Sequence, residues 1–259
     1  MTDQVEFDAC KSVFEEDVVE NRTDIKSGNI VIPRYSALPY YEELEYDCNK
    51  MDSTLINSYA QHKWVADFEW YSVEELRKHT FKTYTQDEFI YAPDGEYIVK
   101  GVTNSMKWNW NTKMFAASKR DAVKIGCDLR EDSLIGSQDI IYREYLPLMT
   151  YEEGINGLPF TNEWRFFFLG EALIDYGYYW SIADNPLHKD MCPVGIRKLS
   201  NKLAVVCARY VNFFVLDIAL LRSGNPILVE INDGSMSGLS SIDENKFYKK
   251  LKKLLDKSI

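Results

Sequence analysis

Two carboxylates and one amide near the end of the chain are spaced as ligands for a divalent cation. Asp217, Glu230 and Asn232 lie in the segment VLDIALLRSGNPILVEINDG, residues 215–234. Apolar, partly β-branched runs flank the turn sequence Arg222-Ser223-Gly224-Asn225, and this pattern predicts a β-hairpin. Carboxylate and amide oxygens suit a hard cation such as Mg²⁺. The chemistry expected here is metal binding, provided that the hairpin brings the three side chains together.

The register of this hairpin decides whether the three side chains meet. A turn centred on Ser223 and Gly224 sets Asp217 opposite Glu230, and alternation along the strand sets Asn232 on the same face as Glu230. Facing carboxylates repel each other, and a bound cation would relieve that repulsion. A register shifted by one residue would move Asp217 to the other face. An edge hairpin with a solvated polar face is the alternative interpretation.

Basic residues earlier in the chain could meet these carboxylates. Lys100 ends a predicted strand over Glu96–Lys100, and Lys107 and Lys113 bracket a segment rich in tryptophan and asparagine. For each lysine taken alone, an ordinary surface charge is the competing interpretation. The lysines belong to a site only if the fold brings them to the hairpin.

Arg165 is harder to interpret as a surface charge. It interrupts the aromatic run from Trp164 to Phe168, so its strand is expected to be largely buried and its guanidinium needs a partner. Glu163, two residues earlier on the same face, is one candidate. A phosphate is the other, because a guanidinium binds phosphate in a bidentate geometry.

The rest of the chain predicts mixed α and β elements. A strand-helix-strand layer is expected over residues 96–146, with Ser118-Lys119-Arg120-Asp121 as a capping box at the start of its helix. An aromatic hairpin with strands Glu163–Leu169 and Ala172–Trp180 follows. Capping boxes at residues 72–75 and 241–244 predict two further helix starts.

Composition bounds the class of protein. The 259 residues are 46% hydrophobic and 27% charged, which is typical of a globular chain of one large domain or two smaller ones. The net charge of -10 argues against general nucleic-acid binding. No apolar run could span a membrane and the N-terminus lacks signal-peptide features, so a soluble cytoplasmic protein is expected. The five scattered cysteines indicate neither a disulfide framework nor a zinc site.

The order of these features resembles the ATP-grasp superfamily, and within it the subgroup marked by an arginine and two lysines, found in bacteria and their phages. The resemblance covers roughly Phe89 to Leu255. Its anchors are Tyr97-Ile98-Val99-Lys100, Tyr142-Arg143-Glu144-Tyr145-Leu146, Glu163-Trp164-Arg165 and Leu228-Val229-Glu230-Ile231-Asn232-Asp233-Gly234. The last anchor is the most specific. The segment Thr103–Lys107 departs from the family, because it lacks the glycines of the usual phosphate loop.

The resemblance implies an α+β fold in which two subdomains with antiparallel sheets grip ATP. Residues 86–147 would form the small subdomain and residues 148–259 the large subdomain, which carries the metal site. Residues 1–85 would form a small α/β domain that precedes them and helps to build the substrate site. Thr103–Lys113 is the candidate lid over the active site.

The resemblance also assigns roles to the matched residues. The phosphate-binding lysines would be Lys100, Lys107 and Lys113. The adenine edge would meet a hinge formed by Glu144, Tyr145 and Leu146. One or two Mg²⁺ ions that bridge the β- and γ-phosphates would be held by Asp217, Glu230 and Asn232. Arg165, which would contact the γ-phosphate or the acyl group, and Lys113 are the residues expected to act in catalysis.

The implied reaction is ADP-forming carbon-nitrogen ligation between a carboxylate and an amine, on small molecules or peptides. The carboxylate attacks the γ-phosphate of ATP, and the amine then displaces phosphate from the acyl phosphate. Such chemistry needs positioning and charge neutralisation more than a side-chain nucleophile. A kinase with the same nucleotide site, and a non-catalytic nucleotide-binding protein, remain as alternatives.

Two residues of the N-terminal part are weaker candidates. Arg34, at the end of a predicted strand, could hold a substrate carboxylate, and Asn57 matches an asparagine of the subgroup. Ordinary surface or capping roles are the competing interpretation for both.

Overall fold

The computed structural model describes residues 4–34, 38–133, 135–183 and 191–258. Two four-stranded sheets, each with antiparallel pairing throughout, form its centre. The helices are α1 (Gln4–Phe14), α2 (Tyr41–Lys50), α3 (Tyr59–Ala66), α4 (Glu74–Arg77), α5 (Trp110–Lys113), α6 (Lys119–Arg130), α7 (Val194–Cys207) and α8 (Glu244–Ser258). The strands are β1 (Ile30–Val31), β2 (Thr54–Leu55), β3 (Thr83–Tyr84), β4 (Tyr97–Gly101), β5 (Phe115–Ala116), β6 (Ile140–Glu144), β7 (Thr150–Glu153), β8 (Pro159–Thr161), β9 (Glu163–Leu169), β10 (Ala172–Tyr178), β11 (Phe213–Leu220) and β12 (Pro226–Asp233). The expected α+β class is confirmed.

The small sheet has the strand order β3-β6-β4-β5. Helix α6 covers one of its faces with a core that includes Val99, Ile125, Leu129 and Tyr142. Ser118 caps this helix by accepting a hydrogen bond from the Asp121 N–H, as the capping sequence predicts.

The opposite face of the small sheet carries charged side chains. Because residues alternate along a strand, Lys100 on β4 and Arg143 on β6 lie on the face away from α6. Both are buried. The fold therefore covers this second face as well, and the large sheet provides the cover.

The large sheet has the strand order β10-β9-β11-β12. Every residue of β11 is buried, because helix α7 packs on one face and helix α8 on part of the other. The predicted aromatic strand β9 lies at the centre, between β10 and β11. One end of the α8 face remains uncovered by helices and meets the charged face of the small sheet.

The hairpin of β11 and β12 reaches the predicted pairing by a different turn. A three-residue loop, residues 222–224, replaces the expected two-residue turn, with Gly224 at φ 84°. This loop shifts the register near the turn by one residue, and a β-bulge at Val229 shifts it back. Asp217 therefore pairs with Glu230 as predicted.

The N-terminal region packs into the same core as the large sheet. Strands β1 and β2 form a parallel pair, and α1 lies against α8. Trp64 and Trp70 join Trp164 and Phe166 in one hydrophobic cluster. Strand β3, which precedes residue 86, is part of the small sheet.

Two of the predicted capping boxes form with different partners. The Ser72 hydroxyl donates to the Glu69 carbonyl and does not cap α4. Asp243, rather than Ser241, accepts a hydrogen bond from the Lys246 N–H in the first turn of α8. Both helices begin where the sequence predicts, because the local sequence still favours a helix there. Within the described ranges, no helix has the length and apolar content to cross a membrane.

Candidate functional site

The two sheets enclose a charged space, here called the cleft. Its side chains are Lys100, Lys107, Arg143, Glu163, Arg165, Asp217 and Glu230. Lys100 forms an ion pair with Glu230, although they belong to different sheets. Arg165 binds Asp217 through two parallel hydrogen bonds of 2.8 Å, from Nε and Nη2. The fold thus brings residues far apart in sequence into one site.

The predicted acidic pair and its amide neighbour lie together in the cleft. Asp217 faces Glu230 across the hairpin, and Asn232 follows on the same face of β12. The Asn232 Nδ2 lies 3.2 Å from Asp217 Oδ2 and 3.3 Å from Glu230 Oε2. The predicted register is confirmed, and the alternative of a solvated surface patch is wrong, because Asp217 is 1% exposed.

The chemistry of these three side chains fits a hard cation. Each carboxylate oxygen has two lone pairs, so the pairing with Arg165 and Lys100 leaves acceptor capacity. Asn232 would present its oxygen after a half-turn of the amide, which now donates. Among the described residues there is no group of three or more histidine, cysteine, aspartate and glutamate side chains suited to a metal. A cation here would therefore depend on the amide and on oxygens of a second ligand.

Positive charge dominates around Glu230. Burial alone would raise the pKa of the Glu230 carboxyl, but Lys100 and Lys107 outweigh burial and lower it to about 2. The carboxylate is therefore charged across the neutral pH range. For Arg165, burial opposes the charge, but the attraction of Asp217 raises its pKa above the ordinary value.

Lys107 reaches the cleft through an aromatic contact. Its ammonium lies 4.4 Å from the ring centre of Tyr179 and donates a hydrogen bond to the Tyr179 hydroxyl. The Arg165 guanidinium lies 4.7 Å from the centre of the same ring. Tyr179 thus holds two cations, one from each side of the cleft.

Glu163 lies near Arg165 but is not its partner. The carboxyl accepts a hydrogen bond of 3.1 Å from the Thr161 hydroxyl, and it is 5% exposed. Burial is the largest effect on Glu163 and raises its pKa to about 7, against the opposing charge of Lys107. The first interpretation of Arg165, an ion pair with Glu163, is wrong, because Asp217 lies directly opposite on β11.

Arg143 is a cleft residue that the sequence interpretation missed. It is buried on β6, and Nη1 donates to the Val229 carbonyl at 2.9 Å. A signal for it exists in the sequence, since Arg143 follows the apolar run Ile140-Ile141-Tyr142 much as Arg165 interrupts an aromatic strand.

The expected adenine hinge borders a cavity between the two sheets. Tyr145 and Leu146 line it together with Ile98, Met114 and Val229, and it spans about 630 Å³ including its mouth. The Leu146 N–H donates to no acceptor in the described part of the chain. The Glu144 side chain accepts a hydrogen bond of 2.7 Å from the Tyr84 hydroxyl. The size and apolar lining are those of a site for a small molecule.

The predicted lid has contacts at both of its ends. The Thr103 and Asn104 N–H groups donate to the Gln138 side chain, so one glutamine oxygen holds this loop in place of glycine-rich backbone contacts. The Trp108 carbonyl accepts a hydrogen bond of 2.7 Å from Asn156.

Lys113 lies outside the charged cluster. It is the last residue of α5 and is exposed, in contrast to Lys107 near the start of the same segment. The cluster of cations in the cleft therefore forms without Lys113, and its phosphate contact stays a prediction.

Arg34 and Asn57 lie in a second, largely buried polar region, here called the junction, with Glu6, His62, Asp233 and Tyr248. Arg34 donates to the Glu6 carboxylate, the Tyr248 hydroxyl and three carbonyls of residues 234–237. Asn57 is 0% exposed, and its amide makes two donated and two accepted hydrogen bonds. The interpretation of Arg34 as a substrate ligand is wrong, because the protein itself occupies all three guanidinium nitrogens.

Comparison with known proteins identifies related sequences and folds. Residues 86–251 match a family model described as an ATP-grasp domain, family 3 of the clade that is named for one arginine and two lysines. Among curated proteins, none matches this sequence.

Several solved structures share the fold. D-cycloserine synthetase DcsG is 13% identical, covers 98% of this chain over 96% of its own, and superposes with a TM-score of 0.61. D-alanine–D-alanine ligase from Bacillus anthracis, solved with ATP, is 10% identical with coverages of 98% and 93% and a TM-score of 0.60. The ATP-grasp ligase PsnB, solved with a minimal precursor, is 13% identical with coverages of 82% and 68% and a TM-score of 0.51. At these identities the likeness is one of fold.

Proposed function

This chain belongs to the ATP-grasp domain family matched by residues 86–251, and we propose that it is an ATP- and Mg²⁺-dependent ligase that joins a carboxylate to an amine. The observation that carries the proposal is the cleft. Four cationic side chains, Lys100, Lys107, Arg143 and Arg165, surround the carboxylates of Asp217 and Glu230 between two sheets, and each of the four is buried or partly buried. Such a surplus of positive charge beside a carboxylate pair suits a nucleotide triphosphate and its metal.

The nucleotide would occupy the cavity at the hinge. The apolar lining favours a flat base, and the Leu146 N–H and the backbone of Tyr145 would meet its edge. Lys100 and Lys107 would then bind the phosphates. In this proposal residues 86–147 and 148–259 form the two gripping subdomains, and residues 1–85 pack against the large one.

The metal would be held by Asp217, Glu230 and Asn232. A bound Mg²⁺ would neutralise charge on the β- and γ-phosphates. Lys100 now occupies one oxygen of Glu230, so phosphate would draw Lys100 away and leave that oxygen for the metal. Arg165, held by Asp217 in a fixed orientation, would contact the γ-phosphate or the acyl group.

The reaction would run in two steps. A substrate carboxylate oxygen attacks the γ-phosphorus, the bond from that phosphorus to the β,γ-bridging oxygen breaks, and ADP leaves. The amine nitrogen then attacks the acyl carbon, inorganic phosphate leaves with the former carboxylate oxygen, and the amine proton passes to solvent. Water must be excluded, because an acyl phosphate hydrolyses readily. The Trp108 contact with Asn156 would keep the lid closed over the site.

The kinase alternative uses the same nucleotide and metal residues. The fold-level likeness to two ligases and a synthetase favours ligation over phosphorylation, as an analogy. A non-catalytic protein would gain nothing from a pair of carboxylates withdrawn from solvent, since their desolvation costs free energy.

Isotope transfer separates these functions. The protein is incubated with ATP, Mg²⁺ and pools of amines and of carboxylates labelled with ¹⁸O, and ADP and phosphate are analysed by mass spectrometry. Ligation through an acyl phosphate transfers one ¹⁸O atom from the carboxylate to the released phosphate. A stable phosphorylated product with unlabelled phosphate would instead establish a kinase. Nucleotide binding without turnover on any pool would favour the non-catalytic alternative.

A further inference from the structure

One buried cation in the cleft lacks the partner that its charge requires. Arg143 is 6% exposed, and its Nε is buried without any hydrogen-bond partner. In the described ranges its guanidinium makes one hydrogen bond, to the Val229 carbonyl, and no carboxylate lies within ion-pair distance. A buried guanidinium is otherwise found paired with an anion or fully hydrogen-bonded.

Two other arginines of the interior show what such pairing looks like in this fold. Arg165 binds both oxygens of Asp217, and Arg34 binds the Glu6 carboxylate as well as backbone carbonyls. The carboxylate nearest in effect to Arg143 is Glu230, but Lys100 holds that group in an ion pair. The protein therefore supplies an anion for two of these arginines and not for Arg143.

The fold fixes Arg143 in this position. Val229 is the bulged residue of β12, so its carbonyl is free of the regular ladder and receives Nη1. The guanidinium also lies 5.2 Å from the ring centre of Phe81. These two contacts orient the planar group and leave Nε and the second terminal nitrogen for a ligand.

The space beside Arg143 belongs to the cavity at the hinge. Arg143 and Lys107 both line it, among side chains that are mostly apolar. A ligand that completes Arg143 must therefore carry oxygen anions next to an apolar body. This combination is the chemistry of a nucleotide, and a guanidinium binds a phosphate through two parallel hydrogen bonds.

We propose that Arg143 is a phosphate-binding residue of the nucleotide site, donating from Nε and its neighbouring terminal nitrogen to one phosphate group. The identification of the anion rests on the proposed function. Because the protein alone supplies no anion for Arg143, its removal should weaken phosphate binding without loss of stability.

Calorimetric titration of the Arg143→Met and Arg143→Lys variants with adenosine, AMP, ADP and ATP tests this proposal. Arg143→Met should bind phosphorylated nucleotides about 10- to 100-fold more weakly, the range of a charge-assisted bidentate contact, and adenosine within about twofold of the wild type. Arg143→Lys should recover part of the affinity, because it restores the charge but not the fork. The shortest nucleotide that shows the loss identifies which phosphate is bound.

Thermal unfolding of the same variants gives the second measurement. Arg143→Met should unfold at or above the wild-type temperature. An equal loss of affinity for adenosine and ATP would overturn the proposal, and so would unchanged ATP affinity.

Tripolyphosphate separates this inference from the proposed function. If the wild type binds tripolyphosphate and Arg143→Met does not, Arg143 is a phosphate ligand even when no nucleotide or ligase activity is found. If the wild type binds ATP and both proteins bind tripolyphosphate equally, the inference fails while the nucleotide site stands.

Discussion

The cleft and the junction are both built from charges withdrawn from solvent, but the protein satisfies them to different degrees. In the junction, Arg34 and Asn57 use their hydrogen-bonding groups within the protein. In the cleft, four cationic side chains face three carboxylates, and Arg143 lacks an anion. Saturated charges stabilise a fold, whereas an unsatisfied surplus is retained for a ligand.

Two neighbouring residues of β12 separate these regions. Asn232 lies on the cleft face, and Asp233 lies on the opposite face, where it accepts hydrogen bonds from Asn57 and the Ser235 N–H and contacts His62. Strand alternation thus sends adjacent polar residues to unlike environments. A polar residue near a functional motif is therefore functional only on the correct face.

The largest effect should come from emptying the junction. We expect Arg34→Met to lower the free energy of unfolding by about 3–5 kcal/mol, because Glu6 stays buried without its cation. Urea denaturation measures the change, and Arg143→Met is the matched control with no loss. Equal destabilisation of the two variants would show that the two regions do not differ in this way.

Removing one cleft carboxylate should act on activity instead. Glu230→Gln should reduce turnover by about 10²–10³-fold, comparable to the loss of one charge-stabilising group at an active site. The assay is Mg²⁺-dependent ADP release, with Asp233→Asn as the control on the other face of the strand. Asp233→Asn should lower stability but keep turnover per folded molecule. Full activity in Glu230→Gln would remove the metal assignment.

The sequence predicts the cleft better than the junction, for physical reasons. The pairing of Asp217 with Glu230 follows from local turn and strand patterns, and it survives because the three-residue loop and the bulge at Val229 compensate each other. The backbone partners of Arg34 lie 200 residues and more away in sequence. No local pattern indicates such a contact, so the sequence alone leaves Arg34 open as a substrate ligand.

The pH dependence of stability should distinguish Glu163 from the other cleft carboxylates. Its pKa is raised from 4.5 to about 7 by burial, so the folded state holds a proton that the unfolded state releases. Stability should therefore fall as pH rises from about 4.5 to about 7, by up to about 3 kcal/mol.

Glu163→Gln tests this dependence, since the amide does not titrate. Thermal unfolding from pH 5 to pH 8 should show the variant gaining stability relative to the wild type as pH rises. Parallel curves for the two proteins would mean that Glu163 carries the same charge in the folded and unfolded states.

The smallest effect should separate the two lysines at the ends of the lid segment. Lys107 lies in the cleft over Tyr179, whereas Lys113 is exposed. Lys107→Met should weaken ATP binding about tenfold, the size of one charge-assisted contact. Lys113→Met should change it less than about twofold, since an exposed charge is screened by solvent. Calorimetry at two salt concentrations measures both variants. A larger loss in Lys113→Met would mean that nucleotide binding moves the lid until Lys113, rather than Lys107, meets the phosphates.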